Sequence, residues 1–550
     1  MAEFVPPGPG FWQLDRSHFT GGTTPLMRWL LCDSVESAYF KQWLLLGIPA
    51  ETLSVAFVEG FMYTRLRPLV RPDHPSSKPP PTWLLKAICR VHPEFRRRAR
   101  AAEKMLTQSP SPAVIAEWHG RIRPALVEKN LAFQDADLAA LSQDELSIHL
   151  ENLLTHLRWT FEEHFRLHGY DLGPIGRLLL AGQDWGLKRV DLLAALAGAS
   201  PSTLVPWQSL LRIKESLDKT GAQPSSLAEV AQASPETAKE LQDYLRFRGA
   251  VLFAGYDLDS PTLGESPGVI LASILNVSKN LPSATAVGEA AEASLRAQLA
   301  TPNHAEFDRL LSAAREAMDL RDDNGPITAE WPCGLLRLTM LEFGRRLVIA
   351  GLLHDATHIF ELDRSELLAA AAHQSPLRAD QVAQRAAHRA QQKTLLPPAT
   401  LGSPETPPPL DALPKSLATA VSLVETVISA MGMGDHQENT EPGPSLTGTG
   451  IGNKTVTGVA RVAESAEEAF DRLLPGEILV TRTTSPAYNM VLTLVGGLVT
   501  TEGGPMSHAA VLSRELSISA VIGAADALTS INDGDIIEIN PATGEVTVTG

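Results

Sequence analysis

The stretch "TEGGPMSHAAVLSRELSISAVIG", residues 501–523, contains two adjacent glycines, a single histidine and then an apolar, helix-forming run. Gly503 and Gly504 permit a turn in which the backbone approaches its surroundings closely. The run "SHAAVLSRELS" is predicted to be a helix that has His508 in its first turn. The strand-like segment "SAVIG" follows it. The pattern predicts a glycine turn that leads into a helix and a strand of an α/β domain.

Short β-rich runs surround this helix from about residue 452 onward. Each run is bounded by Gly, Pro, Asp or Asn, as is typical of strands. Helical candidates lie between them at 465–474, 486–495 and 507–516. We therefore predict a small α/β domain over residues 452–550. The runs are "TVTGVARV", "EILVT", "GGLVTT", "SAVIG", "DIIEIN" and "EVTVTG".

The preceding part of the chain, residues 1–394, is predicted to be mainly α-helical. Its long segments, such as "LRLTMLEFGRRLVIAGLLHD", place apolar residues three and four positions apart. Ser142 followed by Glu145 is a capping-box pattern at the start of one such helix. Residues 395–451 are rich in proline and then in glycine, which predicts a semi-rigid linker with a short helix near 416–432. The chain is predicted to be a multi-domain protein.

Composition narrows the classes of partner. A net charge of −16 argues against nucleic acid or an anionic membrane as the main partner. The three cysteines, Cys32, Cys89 and Cys333, are widely spaced and form no CxxC pair, as expected in a reducing compartment. The first residues show no secretory signal, and the apolar runs are about half of the roughly 20 residues that a membrane span needs. We expect a cytoplasmic location.

The chemistry suggested by His508 is phosphate carriage on an imidazole nitrogen. A neutral imidazole is a nucleophile near pH 7, because its ordinary pKa of about 6.5 leaves a lone pair free. The N–H groups and dipole of a helix start would bind the phosphoryl oxygens. Arg514 lies too far down the helix to share that turn, and is interpreted as structural or as a dock for another domain. A glycine turn before an ordinary helix is the alternative, and local patterns do not separate the two.

Two other patterns carry less weight. "GTGIGNKT", residues 448–455, resembles a phosphate loop, but Asn453 replaces its second glycine and a strand-like run follows where a helix is needed. His164 and His168 have the spacing that places two imidazoles on one helix face. Without a third ligand they indicate a solvated face, and we predict no metal site in this chain.

The segment "GGPMSHAAVLSRE" resembles the phosphohistidine motif of the phosphoenolpyruvate-utilising enzymes, such as pyruvate phosphate dikinase, phosphoenolpyruvate synthase and rifampin phosphotransferase. The resemblance extends over about 95 residues and includes "PGEILVT", the "TTSP" turn and the closing "DGDIIEIN" run. It implies a swivelling domain that carries a phosphoryl group on His508. It also implies phosphate-binding roles for Gly503, Gly504, Ser507 and Ala509. Met506 departs from the threonine that is frequent at that position.

The helical region is similar to the acceptor-binding domain of rifampin phosphotransferase-like proteins. The stretches "FWQLDRSHFTGGTTPL", "GRLLLAGQDW", "YLRFRGAVLFAGYDLDSPTLGESP" and "GRRLVIAGLLHDATHIFELDRSEL" occur in the same order. Those proteins often have Gly-His-Arg where this chain has Gly249-Ala250-Val251, and a lysine near the position of Gly325. Arg321 matches a family arginine, so the resemblance implies a catalytic, phosphate-anchoring role for it. An ordinary helix-end ion pair is the alternative for Arg321.

The resemblance further implies a partner. Relatives that use ATP have an ATP-grasp module before the helical region, and relatives that use phosphoenolpyruvate have a barrel after the swivelling domain. Neither pattern occurs in these residues. The arrangement resembles one subunit of the split aryl-phosphate synthases, which act on phenol or 4-methylphenol (p-cresol). We therefore expect a separate ATP-grasp subunit that binds ATP with Mg²⁺ or Mn²⁺ and phosphorylates His508, and a small phenolic acceptor.

The acceptor site is predicted less sharply. A phenolic hydroxyl has a pKa near 10, so a general base would assist its reaction. His18 is the candidate base, and a capped surface histidine in a turn is the alternative. Trp12, Phe19 and Trp185 are candidates for an aryl pocket, although aromatic residues at such positions are usually core. Two other functions stay open: the same relay to an antibiotic or other small alcohol, and a non-catalytic regulatory protein that reuses the fold.

Overall fold

A computed structural model describes the chain except for residues 1, 2, 16, 17, 20, 75–80, 254, 278–282, 373, 375, 376, 406, 433–445, 453, 485, 490 and 550. The chain forms two compact units. Unit 1 comprises Met1–Tyr170, Tyr256–Ser260 and Asn324–Ser422, and unit 2 comprises Asp171–Gly255, Pro261–Asp323 and Leu423–Gly550.

Helices dominate the chain as far as residue 430, as the sequence predicts. The helices are α1 (Pro25–Leu46), α2 (Thr82–Val91), α3 (Pro93–Gln108), α4 (Ser111–Glu117), α5 (Arg123–Gln134), α6 (Gln143–Asp184), α7 (Arg189–Ala194), α8 (Pro201–Asp218), α9 (Leu227–Ala233), α10 (Pro235–Arg248), α11 (Pro267–Asn276), α12 (Ala284–Gln298), α13 (His304–Gly325), α14 (Trp331–Ile349), α15 (Arg364–Ala371), α16 (Ala379–Gln392), α17 (Lys415–Ala430), α18 (Ala466–Arg472), α19 (His508–Glu515) and α20 (Ala527–Ser530).

Two sheets accompany these helices. The strands are β1 (Phe11–Leu14), β2 (Ala50–Val58), β3 (Phe61–Pro68), β4 (Thr400–Gly402), β5 (Leu446–Thr447), β6 (Thr449–Ile451), β7 (Val456–Val462), β8 (Ile478–Thr481), β9 (Gly497–Thr500), β10 (Ala520–Ile522), β11 (Ile536–Asn540) and β12 (Glu545–Val548).

The predicted start of α6 is confirmed in atomic detail. The Glu145 backbone N–H donates to Ser142 Oγ over 3.3 Å, and the Ser142 N–H donates to the Glu145 carboxylate over 2.8 Å. These two bonds satisfy donors that a helix start otherwise leaves free.

Unit 1 contains a four-stranded antiparallel sheet in the order β2-β3-β1-β4, which the sequence analysis missed. β2 and β3 form a hairpin whose two turn residues, Glu59 and Gly60, have φ angles of 49° and 77°. Two positive φ angles are what a tight hairpin turn requires. The mainly helical character predicted for residues 1–394 therefore holds for most of that region, with this sheet as the exception.

Part of the proline-rich segment predicted as a linker belongs to this sheet. β4 pairs with β1, with Leu401 opposite Trp12. Leu401 is buried in a cluster with Trp12, Phe61 and Tyr63. The short helix predicted near 416–432 is α17, whereas predicted linker residues 433–445 lie outside the described part of the chain. The domain boundaries at 394 and 451 remain predictions.

Unit 2 contains an eight-stranded sheet in the order β5-β12-β11-β7-β8-β9-β10-β6. Its centre, β7 to β10, is parallel, and antiparallel strands complete both sides. Each predicted β-rich run contains one of its strands. The helical candidates at 465–474 and 507–516 are α18 and α19, while 486–495 forms two 3₁₀ turns, Pro486–Asn489 and Val491–Thr493.

The parallel strands explain where His508 lies. Alternate residues of β8 point to opposite faces, so Ile478 and Val480 pack in one core and Leu479 in another that includes residues of α18 and α19. Adjacent parallel strands end at the same edge of a sheet, and the segments after β8 and β9 therefore lie next to each other. His508 follows β9 at this edge.

Among the described residues, no helix combines the length and the apolar character needed to cross a membrane.

We predict that Leu401→Asp releases β4 from the sheet of unit 1. Burial of an unpaired carboxylate costs about 2 kcal/mol or more, and β4 is only three residues long. Limited proteolysis should cut the chain near residue 401 more than tenfold faster, since about 1.4 kcal/mol corresponds to a factor of ten. Leu396→Asp is the matched control because Leu396 is 92% exposed. Equal cleavage of the two variants would contradict the pairing.

Candidate functional site

His508 is the first residue of α19, and Ser507 is its N-cap. The Ser507 hydroxyl accepts a hydrogen bond from the Ala510 N–H over 3.4 Å, and the Ser507 carbonyl accepts one from the Val511 N–H. The cap uses these two donors, so the N–H groups of His508 and Ala509 are the ones a phosphoryl group would meet. The predicted position of His508 in the first turn of a helix is confirmed.

The two glycines before this helix have separate structural roles. Gly503 has a φ of 106°, a conformation that favours glycine. Gly504 lies so close to the end of α17 that an added Cβ would be 2.6 Å from both the Ala430 carbonyl oxygen and the Gly432 nitrogen. The close approach that the sequence suggests is therefore made to protein backbone. Whether these glycines, Ser507 and Ala509 bind phosphate stays a prediction.

Two side chains from the segment after β8 hold the imidazole of His508. Its Nδ1 is 2.9 Å from Thr484 Oγ1, and its Nε2 is 2.8 Å from Asn489 Oδ1. A hydroxyl can donate or accept, so Thr484 suits either neutral tautomer of the ring. Asn489 Oδ1 can only accept, so in this arrangement Nε2–H donates to it and Nδ1 accepts from the Thr484 hydroxyl. The other neutral tautomer, in which Nδ1–H donates to Thr484 and the nucleophilic lone pair is on Nε2, requires the Asn489 side chain to turn away.

Arg321, near the end of α13, brings a positive charge to this site. Its Nη2 donates to the Met506 carbonyl oxygen over 2.9 Å, two residues before His508. Its Nη1 is buried and has no hydrogen-bond partner among the described residues. Burial of the imidazole and the charge of Arg321 together lower the pKa of His508 to about 3. The ring is therefore neutral at physiological pH, as a nucleophile must be.

Met506 anchors the loop that carries His508. Its side chain is 1% exposed and packs in a core of unit 2 that includes Leu193, Leu196 and Met318. Its N–H donates to the Ala430 carbonyl oxygen over 2.7 Å, and its carbonyl accepts from Arg321. An apolar residue suits this position because the side chain is enclosed by apolar neighbours.

The other side of α19 packs against the helices of unit 2. Glu515 Oε1 accepts a hydrogen bond from the Gly198 N–H over 2.9 Å. Arg514, Glu515, Arg321 and Met506 line one small cavity. Burial lowers the pKa of Arg514 to about 10 and raises that of Glu515 to about 7. Arg514 thus lies at a packing contact of the helix, away from the nitrogen atoms of His508 that make its hydrogen bonds.

The candidate acceptor residues lie in both units. His18 lies in unit 1, where it is exposed and contacts Asp15. The next residue, Phe19, is buried. Trp12 is buried in the core of the unit 1 sheet, where its indole N–H donates to the Gly8 carbonyl oxygen. Trp185 belongs to unit 2 and packs against Phe307. The roles predicted for these residues remain predictions.

The interpretation of His164 and His168 as a solvated face is wrong. His164 Nδ1 is 2.9 Å from Thr328 Oγ1, and its Nε2 is 3.3 Å from Nε2 of His168. Burial lowers the pKa of His164 well below its ordinary value. Thr328, in the π-helical turn Pro326–Glu330 that follows α13, contacts the His164 ring, and Asn324 near the end of α13 donates to the His164 carbonyl oxygen. The spacing of the two histidines on α6 alone could not show these contacts. Within the described ranges, no three His, Cys, Asp or Glu side chains are grouped to hold a metal ion.

Thr484 and Asn489 are the site residues that the sequence analysis missed. Thr484 lies in the "TTSP" turn, whose Ser485 is outside the described residues, and Asn489 lies in a 3₁₀ turn. The order of the parallel strands was the one feature that could have identified these two residues. Polar residues directly after one parallel strand meet residues that follow its neighbour, so residues 482–489 were candidates to face His508.

Sequence comparison with known proteins identifies a family model that matches the region around His508. Residues 473–544 match the family model of the PEP-utilising enzyme mobile domain, and these residues include His508. The C-terminal α/β region of the chain therefore carries this mobile domain.

Three relatives illustrate the similarity. An uncharacterised protein of Mycobacterium tuberculosis is 32% identical over 240 residues, which are 43% of this chain and 24% of that protein. An uncharacterised phosphotransferase of Bacillus subtilis, YvkC, is 27% identical over 243 residues, or 44% of this chain and 27% of the relative. Phosphoenolpyruvate synthase of Aquifex aeolicus is 42% identical over 100 residues, which are 18% of this chain and 12% of that enzyme. The chain thus spans about a quarter or less of the length of these relatives.

We predict that Met506→Ala destabilises unit 2 by about 2–5 kcal/mol, because it leaves a cavity where the loop meets the helices. Met506→Leu keeps nearly the same volume and should cost less than about 1.5 kcal/mol. Urea unfolding monitored by tryptophan fluorescence measures both values. A cost for Met506→Ala no larger than that for Met506→Leu would contradict the anchoring role.

We predict that the imidazole of His508 stays neutral from pH 8 to pH 5. Its lowered pKa means that acid protonates the unfolded chain first, so this residue reduces stability as the pH falls below about 6.5. Arg321→Met should raise the pKa toward, but not to, 6.5, since burial is the larger cause. Long-range ¹H–¹⁵N spectra of histidine-labelled protein measure it, with the signal assigned by its loss in His508→Gln. A wild-type midpoint near 6.5 would contradict this assignment.

Proposed function

We propose that this chain is the phosphohistidine-carrying subunit of a phosphotransferase that makes aryl phosphates. His508 accepts a phosphoryl group that comes from ATP and transfers it to the hydroxyl of a phenolic molecule such as phenol or p-cresol. The observation that carries the proposal is a neutral imidazole at the start of α19, in a PEP-utilising enzyme mobile domain. It lies beside a guanidinium whose buried Nη1 has no hydrogen-bond partner among the described residues.

In the first half-reaction, the lone pair on Nε2 of His508 forms a bond to phosphorus as the bond from phosphorus to the donor oxygen breaks. Nδ1–H donates to Thr484 Oγ1 and keeps its proton. Asn489 now occupies the position that the phosphoryl group would take, so its side chain must move aside. The charge on the phosphoryl oxygens would meet Arg321 Nη1 and the free N–H groups at the start of α19.

In the second half-reaction, the phenolic oxygen bonds to phosphorus and the N–P bond breaks. The electron pair of the N–P bond returns to Nε2 of His508, and the ring is again a neutral imidazole. The proton of the hydroxyl goes to a general base. Both steps depend on positioning and on stabilisation of negative charge, which is the usual basis of phosphoryl transfer.

The donor in this proposal is ATP, with Mg²⁺ or Mn²⁺, bound by a separate ATP-grasp subunit. The resemblance to split aryl-phosphate synthases supports that arrangement and a phenolic acceptor. The Ala250 and Val251 side chains, which stand where antibiotic-modifying relatives often have His-Arg, are buried and apolar. This makes an antibiotic or other alcohol the second candidate, and a non-catalytic role the third.

Chemical phosphorylation tests the carrier residue without the partner. Phosphoramidate transfers its phosphoryl group to accessible histidines and releases ammonia. ³²P-labelled reagent should place an acid-labile, base-stable label on the peptide that contains residue 508 in the wild-type chain and leave that peptide unlabelled in His508→Ala. His119→Ala, which changes an exposed histidine, should be labelled like wild type. Equal labelling of His508→Ala and wild type would contradict the proposal.

We predict that Arg321→Met slows this labelling by about 10²–10³-fold, as loss of one charge-stabilising donor does in other enzymes. The assay is run at pH 8, where His508 is neutral in both proteins, so that a pKa change does not contribute. Arg309→Met is the control on the same helix, because Arg309 is exposed and paired with Glu306. A similar rate for Arg321→Met and Arg309→Met would show that Arg321 is only a structural residue.

A second experiment tests the donor. Candidate ATP-grasp proteins are mixed with the chain and with ATP labelled in the β or the γ phosphate. If AMP and phosphate are the co-products, His508 should gain label from the β position, and only when the partner is present. Labelling by the chain alone would contradict the need for a separate donor subunit.

A further inference from the structure

Unit 1 contains a carboxylate–imidazole pair that His508 chemistry does not use. Asp15 Oδ2 is 2.9 Å from Nδ1 of His18, and Asp15 Oδ1 accepts a hydrogen bond from the His18 backbone N–H over 2.8 Å. The Asp15 N–H in turn donates to the Met62 carbonyl oxygen in β3. The carboxylate is therefore fixed to the sheet and sets both the position and the tautomer of the imidazole.

The pair is placed to meet a ligand. The His18 side chain is 47% exposed, whereas that of Asp15 is 15% exposed. Because Nδ1–H donates to Asp15, the lone pair of His18 lies on Nε2, the nitrogen that the carboxylate does not contact. Among the described residues no hydrogen bond is made to Nε2, and an oriented, partly exposed imidazole with such a nitrogen is the arrangement of a general base.

Aromatic rings lie against this imidazole. The Tyr256 ring centroid is 5.3 Å from that of His18 and 6.4 Å from that of Phe19. Phe19 also makes an edge contact with Phe57, with 6.5 Å between centroids. Aromatic surfaces of this kind bind a planar ring through offset or edge contacts. An exposed polar histidine beside them suits a ligand that has an aromatic ring and one hydroxyl.

The segment that carries Tyr256 is tied to the rest of unit 1 by ion pairs and hydrogen bonds. Asp257 accepts from the backbone N–H of Thr24 over 2.7 Å and from its hydroxyl over 2.5 Å. Asp259 pairs with Arg389 and Lys393 at 2.5 and 2.6 Å. These contacts hold the Tyr256 ring in place before a ligand binds, as a preorganised site requires.

The charges around His18 favour a role for its imidazole as a general base. The Asp15 carboxylate raises the pKa of His18, which brings it closer to that of a phenol. Burial, with Glu330 and Asp15, raises the pKa of Tyr256 well above 10, so its hydroxyl stays neutral. His164, whose pKa is lowered by burial and by its neighbours His168 and His18, is also neutral. Asp15 is therefore the main charge that faces this imidazole.

We propose that Asp15, His18 and Tyr256 form the site that activates the aromatic acceptor, an inference that rests on the proposed function. The hydroxyl O–H bond breaks and its proton passes to Nε2 of His18, while the oxygen forms the bond to phosphorus and the N–P bond of His508 breaks. His18 is the catalytic base, and Asp15 is a positioning residue that holds it. The Tyr256 ring binds the ring of the acceptor, and the buried Phe19 ring packs against Tyr256 and supports it.

A two-step, single-turnover experiment tests the site on the full chain. The protein is labelled on His508 with ³²P-phosphoramidate, freed of reagent and mixed with p-cresol, and labelled cresyl phosphate is measured over time. His18→Gln should be labelled at the wild-type rate but should transfer about 10²–10⁴-fold more slowly, as expected on loss of a general base. His119→Ala is the control and should match wild type in both steps.

The pH dependence separates catalysis from a structural role. Wild-type transfer should increase with pH through a midpoint above the ordinary 6.5 of histidine, because Asp15 raises the pKa of His18. In Asp15→Asn the midpoint should move to lower pH and the maximal rate should fall. A lost turn contact alone would lower the melting temperature and leave the midpoint unchanged.

The acidity of the acceptor gives a second readout. With 4-nitrophenol at pH 8, the hydroxyl is already ionised and no base is needed. The rate ratio between wild type and His18→Gln should then fall close to one. Tyr256→Phe, which keeps the ring, should transfer at nearly the wild-type rate, and Tyr256→Ala should need a higher concentration of p-cresol.

The outcomes distinguish this site from the proposed function. Transfer by wild type that is unchanged in His18→Gln and Asp15→Asn would overturn the inference and leave the function standing. A labelled wild-type chain that transfers to no phenol would overturn the phenolic acceptor, and this site with it. Loss of label to water without cresyl phosphate belongs to that second outcome.

Discussion

The surroundings of His508 depend on the hydrogen bond from Arg321 to the Met506 carbonyl oxygen. It attaches the loop before α19 to a helix of the same unit, and it places a guanidinium beside the imidazole. That charge adds to burial in keeping the ring neutral. The Nη1 atom of the same guanidinium has no hydrogen-bond partner in the part of the chain that the structure describes. A buried N–H group without a hydrogen-bond partner is costly, and an anion bound at this site would provide the partner.

The packing around this bond divides the mobile domain into two functional parts. The Met506 side chain packs among apolar residues of the helices, and the Gly504 backbone lies against the end of α17. Thr484 and Asn489 hold the ring through polar contacts that can exchange for others. Apolar contacts therefore fix the backbone of the loop, while hydrogen bonds that are easier to rearrange surround the reacting nitrogen.

Local sequence patterns predicted much of unit 2 and less of unit 1. The strands between 452 and 550 are short β-rich runs bounded by Gly, Pro, Asp or Asn, so each was found, as was the helix at His508. β2 and β3 were missed because helical periods dominate their surroundings. β4 was missed because its pairing with β1 joins residues at opposite ends of the chain. The buried environment of His164 and the contacts of Thr484 and Asn489 likewise depend on residues distant in sequence, which local patterns do not report.

Burial of Met506 also has a chemical consequence. A thioether reacts with peroxide only when the oxidant reaches its sulfur, and this side chain is 1% exposed. The sulfur becomes accessible only when the loop before α19 leaves the helices. The extent of sulfoxide formation at Met506 would therefore measure how long the loop before α19 is separated from the helices. Oxidation while it is detached would make the side chain polar and so hinder its return to an apolar core.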